Sequence, residues 1–215
     1  RYIAYRGLAQ FKNPLVKKMV GNYAFDSQSV SFSIGPLVNA AMRMHENEKA
    51  MNAFLSEDED EINELVKDLK DCRERQNEAV AEMLDDLLKQ GEEQLDRKCM
   101  FFMLNNDTDA EVTGLIGNKL LAMYQRPLFI LRLRDGQYAG SMRSIGTESF
   151  LEIANGTELC LCQGHPNAAG AFIDEDKFEQ FKDVIEEELK DIEFSVEVEA
   201  DIELEPRQIN ENLIK

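Results

Sequence analysis

The sequence predicts an α/β protein in which one long helix precedes a domain of alternating strands and helices. Three observations carry this. Apolar residues recur every three or four positions from about residue 62 to residue 88, behind a serine and a run of acids. Residues 99–104 (CMFFML) form a short apolar run of buried-strand character. Asp135-Gly136 separates LFILRLR from QYAGSMRS, a strong hairpin signal.

The elements follow in order. Residues 13–20 (NPLVKKMV) are expected to form a short helix, with Asn13 as N-cap and Pro14 in the first turn. Residues 37–45 (LVNAAMRMH) form a second helix, entered through a Gly35-Pro36 turn. The long helix begins at Ser56 as its cap, with acids 57–61 suiting the positive end of the helix dipole, and stops at Gly91. Its apolar positions are Ile62, Leu65, Val66, Leu69, Cys72, Val80, Met83, Leu84, Leu87 and Leu88. At roughly 35 residues it would span about 50 Å, a length that suits a connector between two lobes. After the strand at 99–104 come a helix at 111–124, the hairpin, a short helix at 148–154 and an apolar stretch at 159–162. Residues 163–170 (QGHPNAAG) read as a Gly- and Ala-rich turn, and residues 171–173 extend from it. Residues 175–190 form an acidic amphipathic helix, and 194–204 (FSVEVEADIEL) alternate with period two, as a half-exposed strand does.

The 215 residues carry 42 acids and 24 bases, a formal charge of −18. Such a charge argues against a protein that simply coats nucleic acid, where affinity comes from neutralising phosphates with Lys and Arg. The charge is unevenly spread, however. Residues 1–44 are net +5, 45–98 net −10, 99–173 net −2 and 174–215 net −11. The acid sits in two blocks that read as solvated faces. No apolar run approaches the ~18 residues of a membrane span. The four cysteines, Cys72, Cys99, Cys160 and Cys162, form no CxxC pair, and with only two histidines a structural zinc site is not expected. They read as free thiols in a reducing cytoplasm. The chain opens at Arg1 inside what reads as structure, so it is expected to be a piece of a longer protein.

Three constellations could carry chemistry. In Gly140-Ser141-Met142-Arg143-Ser144, Ser141 and Arg143 stand two apart and share one side of a strand. A hydroxyl beside a guanidinium fork suits a phosphate, although an ordinary exposed strand shows the same pattern. Gly164-His165-Pro166-Asn167-Ala168-Ala169-Gly170 allows close backbone approach to an anion, or is a tight turn with a surface histidine. In Gly35-Pro36-Leu37-Val38-Asn39-Ala40-Ala41-Met42-Arg43, Asn39 and Arg43 share a helix face, which equally suits a plain amphipathic helix with closely packed alanines.

The succession is more specific than its parts. GPxxNAAxR, an acidic connector helix, a Gly-containing helix ending in Tyr124-Gln125-Arg126-Pro127, GSxRS and GHxxAAG together resemble the RecJ family of single-strand-specific exonucleases, of the DHH phosphoesterase superfamily, over nearly the whole chain. The resemblance implies four regions. Residues 1–45 would be the exit of a DHH domain with its linker helices, and 46–98 the connector helix. Residues 99–192 would be a DHH-associated substrate-binding domain, a mixed sheet flanked by helices. Residues 193–215 would begin a third, barrel-like domain. It also implies that a 5′-phosphorylated single strand is the partner, together with the DHH domain. The Mn2+ or Mg2+ ions of the intact enzyme would be held by DHH motifs outside this chain, which would carry no catalytic residue, no metal ligand and no cofactor, and would be inactive alone. Ser141, Arg143 and Ser144 fall on the family's phosphate-binding motif. Gly164 and His165 fall on its Gly-Gly-His element, and Asn39 and Arg43 on the linker helix lining the strand's path. Gln163 replaces the first glycine of that element, and residues 106–111 replace a Trp-His pair, which points to a divergent, phage-borne member. Two rival functions share the scaffold: a DHH phosphodiesterase for short oligonucleotides or cyclic dinucleotides, and a non-catalytic RecJ-derived replication scaffold.

Overall fold

The computed structural model describes residues 6–7, 12–21, 27–105, 112–146, 148–194, 202 and 204–208. The expectations placed on residues 1–5 and 106–111, and nearly all of the strand expected at 194–204, lie outside them. The chain divides into two compact units, residues 1–93 with 103–116, and residues 94–102 with 117–215. Within them lie a long helix and a five-stranded mixed sheet, the α/β architecture the sequence predicts.

The first unit is helical. Helix α1 (Pro14–Val20) starts where the proline signal places it, with the Asn13 side chain accepting from the Val16 N–H at 3.4 Å. The entry to α2 (Gly35–Arg43) differs from expectation. Gly35-Pro36 is not a turn: three helical residues, Ser27–Ser29, run through a π-helical stretch, Val30–Ile34, directly into α2. Proline has no N–H to donate four residues back, and its ring crowds that carbonyl; a widened turn ahead of Pro36 accommodates both. Helix α2 turns Leu37, Ala40 and Ala41 inward. Helix α3 (Asn47–Leu55) has no counterpart in the sequence reading. Only Ala50 and Ala53 are buried, while Met51 and Leu55 face solvent, so its pattern carries little helical signal.

Helix α4 (Glu59–Glu92) is 34 residues long, about 51 Å. Asp58, not Ser56, is its N-cap, its side chain accepting from the Glu61 N–H at 2.9 Å. Ser56 ends α3 instead; its hydroxyl accepts from the Asp58 N–H and donates to the Glu61 carboxylate. Gly91 does not end the helix either, but lies buried within its last turn. The buried stripe is Ile62, Val66, Leu69, Cys72, Gln76, Val80 and Leu87, so Gln76 fills the step between Cys72 and Val80 that hydrophobicity alone skips. Leu15, Leu37, Ala41, Ala50 and Ala53 pack on its first half. Beside them Glu46 accepts from Lys49, Arg75 and the Cys72 thiol, tying the start of α3 to α4.

The sheet runs in the order β1-β2-β3-β5-β4, from β1 (Met100–Met103), β2 (Leu128–Arg134), β3 (Gln137–Arg143), β4 (Cys160–His165) and β5 (Ala168–Asp174). The pairs β2–β3, β3–β5 and β4–β5 are antiparallel. Asp135 and Gly136 both have positive φ, 52° and 77°, as a type I′ hairpin turn requires. Helix α5 (Thr113–Tyr124) precedes β2, α6 (Phe150–Gly156) precedes β4, and α7 (Phe178–Glu188) follows β5. One sheet face carries an aromatic core in which Phe129 stacks on Phe101 at 5.4 Å and meets Phe150 and Phe181. Both edges are closed by side-chain amides. On β1, Gln90 exchanges two hydrogen bonds with Met103 and Gln94 two with Phe101; on β4, Asn155 does the same with Cys162. Each amide stands in for a missing strand, which blunts an edge otherwise open to association. All four cysteines are free.

The Glu46 cluster has a pH signature. Hydrogen bonds from Lys49, Arg75 and Cys72 hold the Glu46 carboxyl down at about 2, against 4.5 for a free glutamate. Its contribution is therefore complete above pH 4.5 and disappears as pH falls through 4.5 toward 2. Glu46→Gln is expected to lower the urea midpoint at pH 7, and the gap from wild type is expected to close as the titration is carried down to pH 2–3.

Candidate nucleic-acid interface

Strand alternation and register decide which side chains meet. Ser141 pairs with Ile130 on one side and Gly170 on the other, and Gly170 pairs with Gln163. One step along, Leu128, Arg143, Ala168 and His165 form the next row. Paired residues share a face, and rows two residues apart repeat it every ~7 Å. Ser141, Arg143, Gln163 and His165 therefore occupy one face, opposite the aromatic core. The structure brings together two motifs that lie some twenty residues apart in the chain. It corrects one expectation: residues 163–170 are not one turn. Gly164 and His165 end β4, Pro166-Asn167 alone make the turn, and Ala168 begins β5.

Two glycines make this register possible. A Cβ on Gly140 would sit 1.9 Å from the Ile130 carbonyl oxygen, so β3 approaches β2 only without a side chain there. Gly164 has φ 148°, and a Cβ would lie 2.8 Å from Ala169 Cα. Only glycine fits either position without displacement.

Arg143 is half-buried and oriented. Its Nε donates to Asn118 Oδ1 at 2.9 Å and one terminal nitrogen donates to the Met142 carbonyl at 2.7 Å. Gly117 of α5 lets the helix pass over the arginine stem, for a Cβ there would meet Arg143 Cγ at 3.0 Å. Burial lowers the guanidinium's pKa, yet a guanidinium stays charged at any physiological pH. The result is a fixed cation whose remaining donors lie beside Ser141. His165 and Gln163 are exposed on β4. Ser144 is buried; its N–H donates to the Asn167 carbonyl and its hydroxyl to the Ile145 carbonyl, so it anchors the end of β3. Asn39 is exposed and Arg43 half-buried on the side of α2 away from its buried alanines, in the other unit. Asn118 and Asn155 support the site and had no sequence signal, since their partners lie 25 and 7 residues away; Asn167, within the Gly- and Ala-rich stretch, accepts from the Phe150 N–H 17 residues away.

The chain is similar to several known proteins. A DHHA1 domain model matches residues 96–191. The single-stranded-DNA-specific exonuclease RecJ of Thermus thermophilus is 31% identical over 174 residues, 80% of this chain and 25% of that protein. A crystal structure of the Thermus thermophilus RecJ with Mg2+ overlays with TM-score 0.70 at 29% identity, covering 85% of this chain and 29% of that one. This chain is RecJ-like. A protein of Bacillus subtilis named as an SPbeta prophage-derived single-strand DNA-specific exonuclease, YorK, is 26% identical over 91% of this chain and 42% of its own length. The RecJ-like chain thus spans about a fifth to two fifths of the curated relatives it matches. A further RecJ structure is of the Mn2+ complex. Among the described residues of this chain no three His, Cys, Asp or Glu side chains converge as a metal site. Also among the described residues, no helix is long and apolar enough to cross a membrane.

Gly140→Ala is expected to destabilise the protein by about 3 kcal/mol, because the backbone of β2 must shift. Gly156→Ala, at the end of α6 with open space around it, is expected to be neutral or to stabilise by about 0.5 kcal/mol. Urea unfolding of the two variants checks the contrast.

Proposed function

We propose that this RecJ-like chain forms the strand-binding part of a 5′→3′ single-stranded-DNA exonuclease, with the catalytic metal ions held in a DHH domain outside these 215 residues. In this reading, residues 1–45 leave that domain, 46–98 connect, 99–192 hold the strand end and 193–215 open a further domain. The observation that carries it is the pair of adjacent rows that sets Ser141 and Arg143 on the sheet face opposite the aromatic core, with His165 two strands away.

The chemistry follows from the groups. A terminal 5′-phosphate is a dianion with three acceptor oxygens. Arg143, already fixed by Asn118, offers a planar donor fork with little further ordering cost, and Ser141 adds a hydroxyl. A terminal phosphate, with its extra charge and free oxygens, gains more from this pair than an internal phosphodiester. His165 can reach the next phosphate, across Ala168 from Arg143. Asn39 and Arg43 would guide the strand on the other unit. The rest of the surface contributes little attraction, because the chain is net −18. Weak nonspecific affinity suits a protein that grips an end and lets the strand advance.

The test is direct binding of 5′-phosphorylated and 5′-hydroxyl oligonucleotides to the 215-residue chain. The phosphorylated strand is expected to bind at least about tenfold more tightly, and Arg143→Ala to erase that preference, since charge-assisted hydrogen bonds contribute about 1.5–3 kcal/mol. Equal binding of both strands by the wild-type chain would reject the assignment. A preference confined to dinucleotides would favour a short-oligonucleotide phosphodiesterase instead.

A further inference from the structure

The face that carries Ser141 and Arg143 continues beyond them. The next row is Arg132, Ala139, Phe172 and Leu161, and the one after is Arg134, Gln137 and Asp174. On the β2 side this face is closed: Leu128 and Ile130 are buried, and α5 crosses so near that a Cβ on Gly117 would lie 2.9 Å from Ile130 Cδ1. On the β5–β4 side it is open. Leu161, on the edge strand β4, is 52% exposed and Phe172, on β5 beside it, 38% exposed, both within strands and not at a loop tip. The floor between them and the arginine is made of small residues, Ala139, Ala168 and Gly170. Beside Phe172 lies a depression of about 500 Å³, which Leu161, Gln137, Glu158, Asp174 and Lys177 help to line.

The geometry points to a nucleobase platform: Phe172 and Leu161 take the base of the terminal nucleotide whose 5′-phosphate sits on Ser141 and Arg143. The proposal rests on the phosphate reading of that pair and adds what holds the other end of the nucleotide. Three features select a base as the occupant. Ser141 and Phe172 stand in neighbouring rows, about 7 Å apart along the strands, within the reach of one nucleotide. A phenyl ring lying on an open sheet face stacks with any base, a sequence-tolerant contact common in single-strand binding. Asp174, which accepts from Gln137 and pairs with Lys177, adds polar groups for the edge of a base.

The test uses the 215-residue chain and a 5′-phosphorylated oligonucleotide with 2-aminopurine as its first base, read by anisotropy and by quenching of the aminopurine. Phe172→Leu keeps an apolar side chain and removes the ring; it is expected to weaken binding about tenfold and to abolish most of the quenching, while Phe172→Tyr retains both. An oligonucleotide with an abasic first nucleotide is expected to bind wild type as weakly as the intact one binds Phe172→Leu, with no further loss in that variant. Thermal unfolding confirms that both variants fold. If Phe172→Leu binds and quenches like wild type while Arg143→Ala loses phosphate preference, the platform is refuted and the phosphate site stands. If the wild-type chain shows no phosphate preference, both fall together.

Discussion

The register of three strands is the constraint on which the rest of this structure depends. Arg143, Ser141, Gln163 and His165 come from β3 and β4, which never touch; β5 lies between and transmits the alignment of one to the other. A slip of one residue in either pairing would send half of these side chains into the aromatic core. Gly140 and Gly164 hold the alignment by allowing backbone approaches that no other residue tolerates. The hairpin turn at Asp135-Gly136 fixes it from one end and the Pro166-Asn167 turn from the other. The asparagines finish the job: Asn167 binds the Phe150 N–H and the Gly146 carbonyl, and Asn155 closes the outer edge of β4.

Electrostatics becomes intelligible on this frame. A chain of −18 is a poor general partner for DNA, and its acid is concentrated in α4 and in the segment from residue 174 onward. The strand region between them is close to neutral, and Arg143 is fixed there by hydrogen bonds, with its stem against α5. Acid elsewhere does not cancel a fixed cation at contact range, because screening confines exposed charges to about a Debye length. What it removes is the diffuse attraction that would hold a strand anywhere along its length. The acidic faces also have structural work in places: Glu46 is the centre of a four-group cluster, and Asp58 with Glu61 caps the longest helix.

Much of this was legible from residue order, and the exceptions have physical causes. The long helix showed itself through its three-and-four spacing, and the hairpin through a dipeptide that accepts positive φ twice. The fine boundaries did not: Ser56 and Asp58 are both good caps, and in the structure Ser56 ends α3 while Asp58 begins α4. Helix α3 hid because alanines bury little and its larger apolar residues face out. Gln76 hid because a polar residue occupies an apolar stripe. The Gly- and Ala-rich stretch read as a turn, although its small residues serve strand pairing. The partners of Arg143 and Cys162 lie on other elements, and single-sequence periodicity carries no information about them. The Ser141–Arg143 pair, proposed to hold a phosphate, was recognisable by its resemblance to RecJ, whereas the exposed ring of Phe172 emerged only once the register placed it on the same face.

The most direct measurement is a comparison of backbone amide chemical shifts of the 215-residue chain titrated with the same oligonucleotide bearing either a 5′-phosphate or a 5′-hydroxyl. The account predicts phosphate-specific changes at residues 141–143 of β3 and at 163–170 across β4 and β5, centred on the Arg143 row. Identical shift patterns for the two ends, or phosphate-specific changes lying elsewhere on the sheet or along α4, would contradict it.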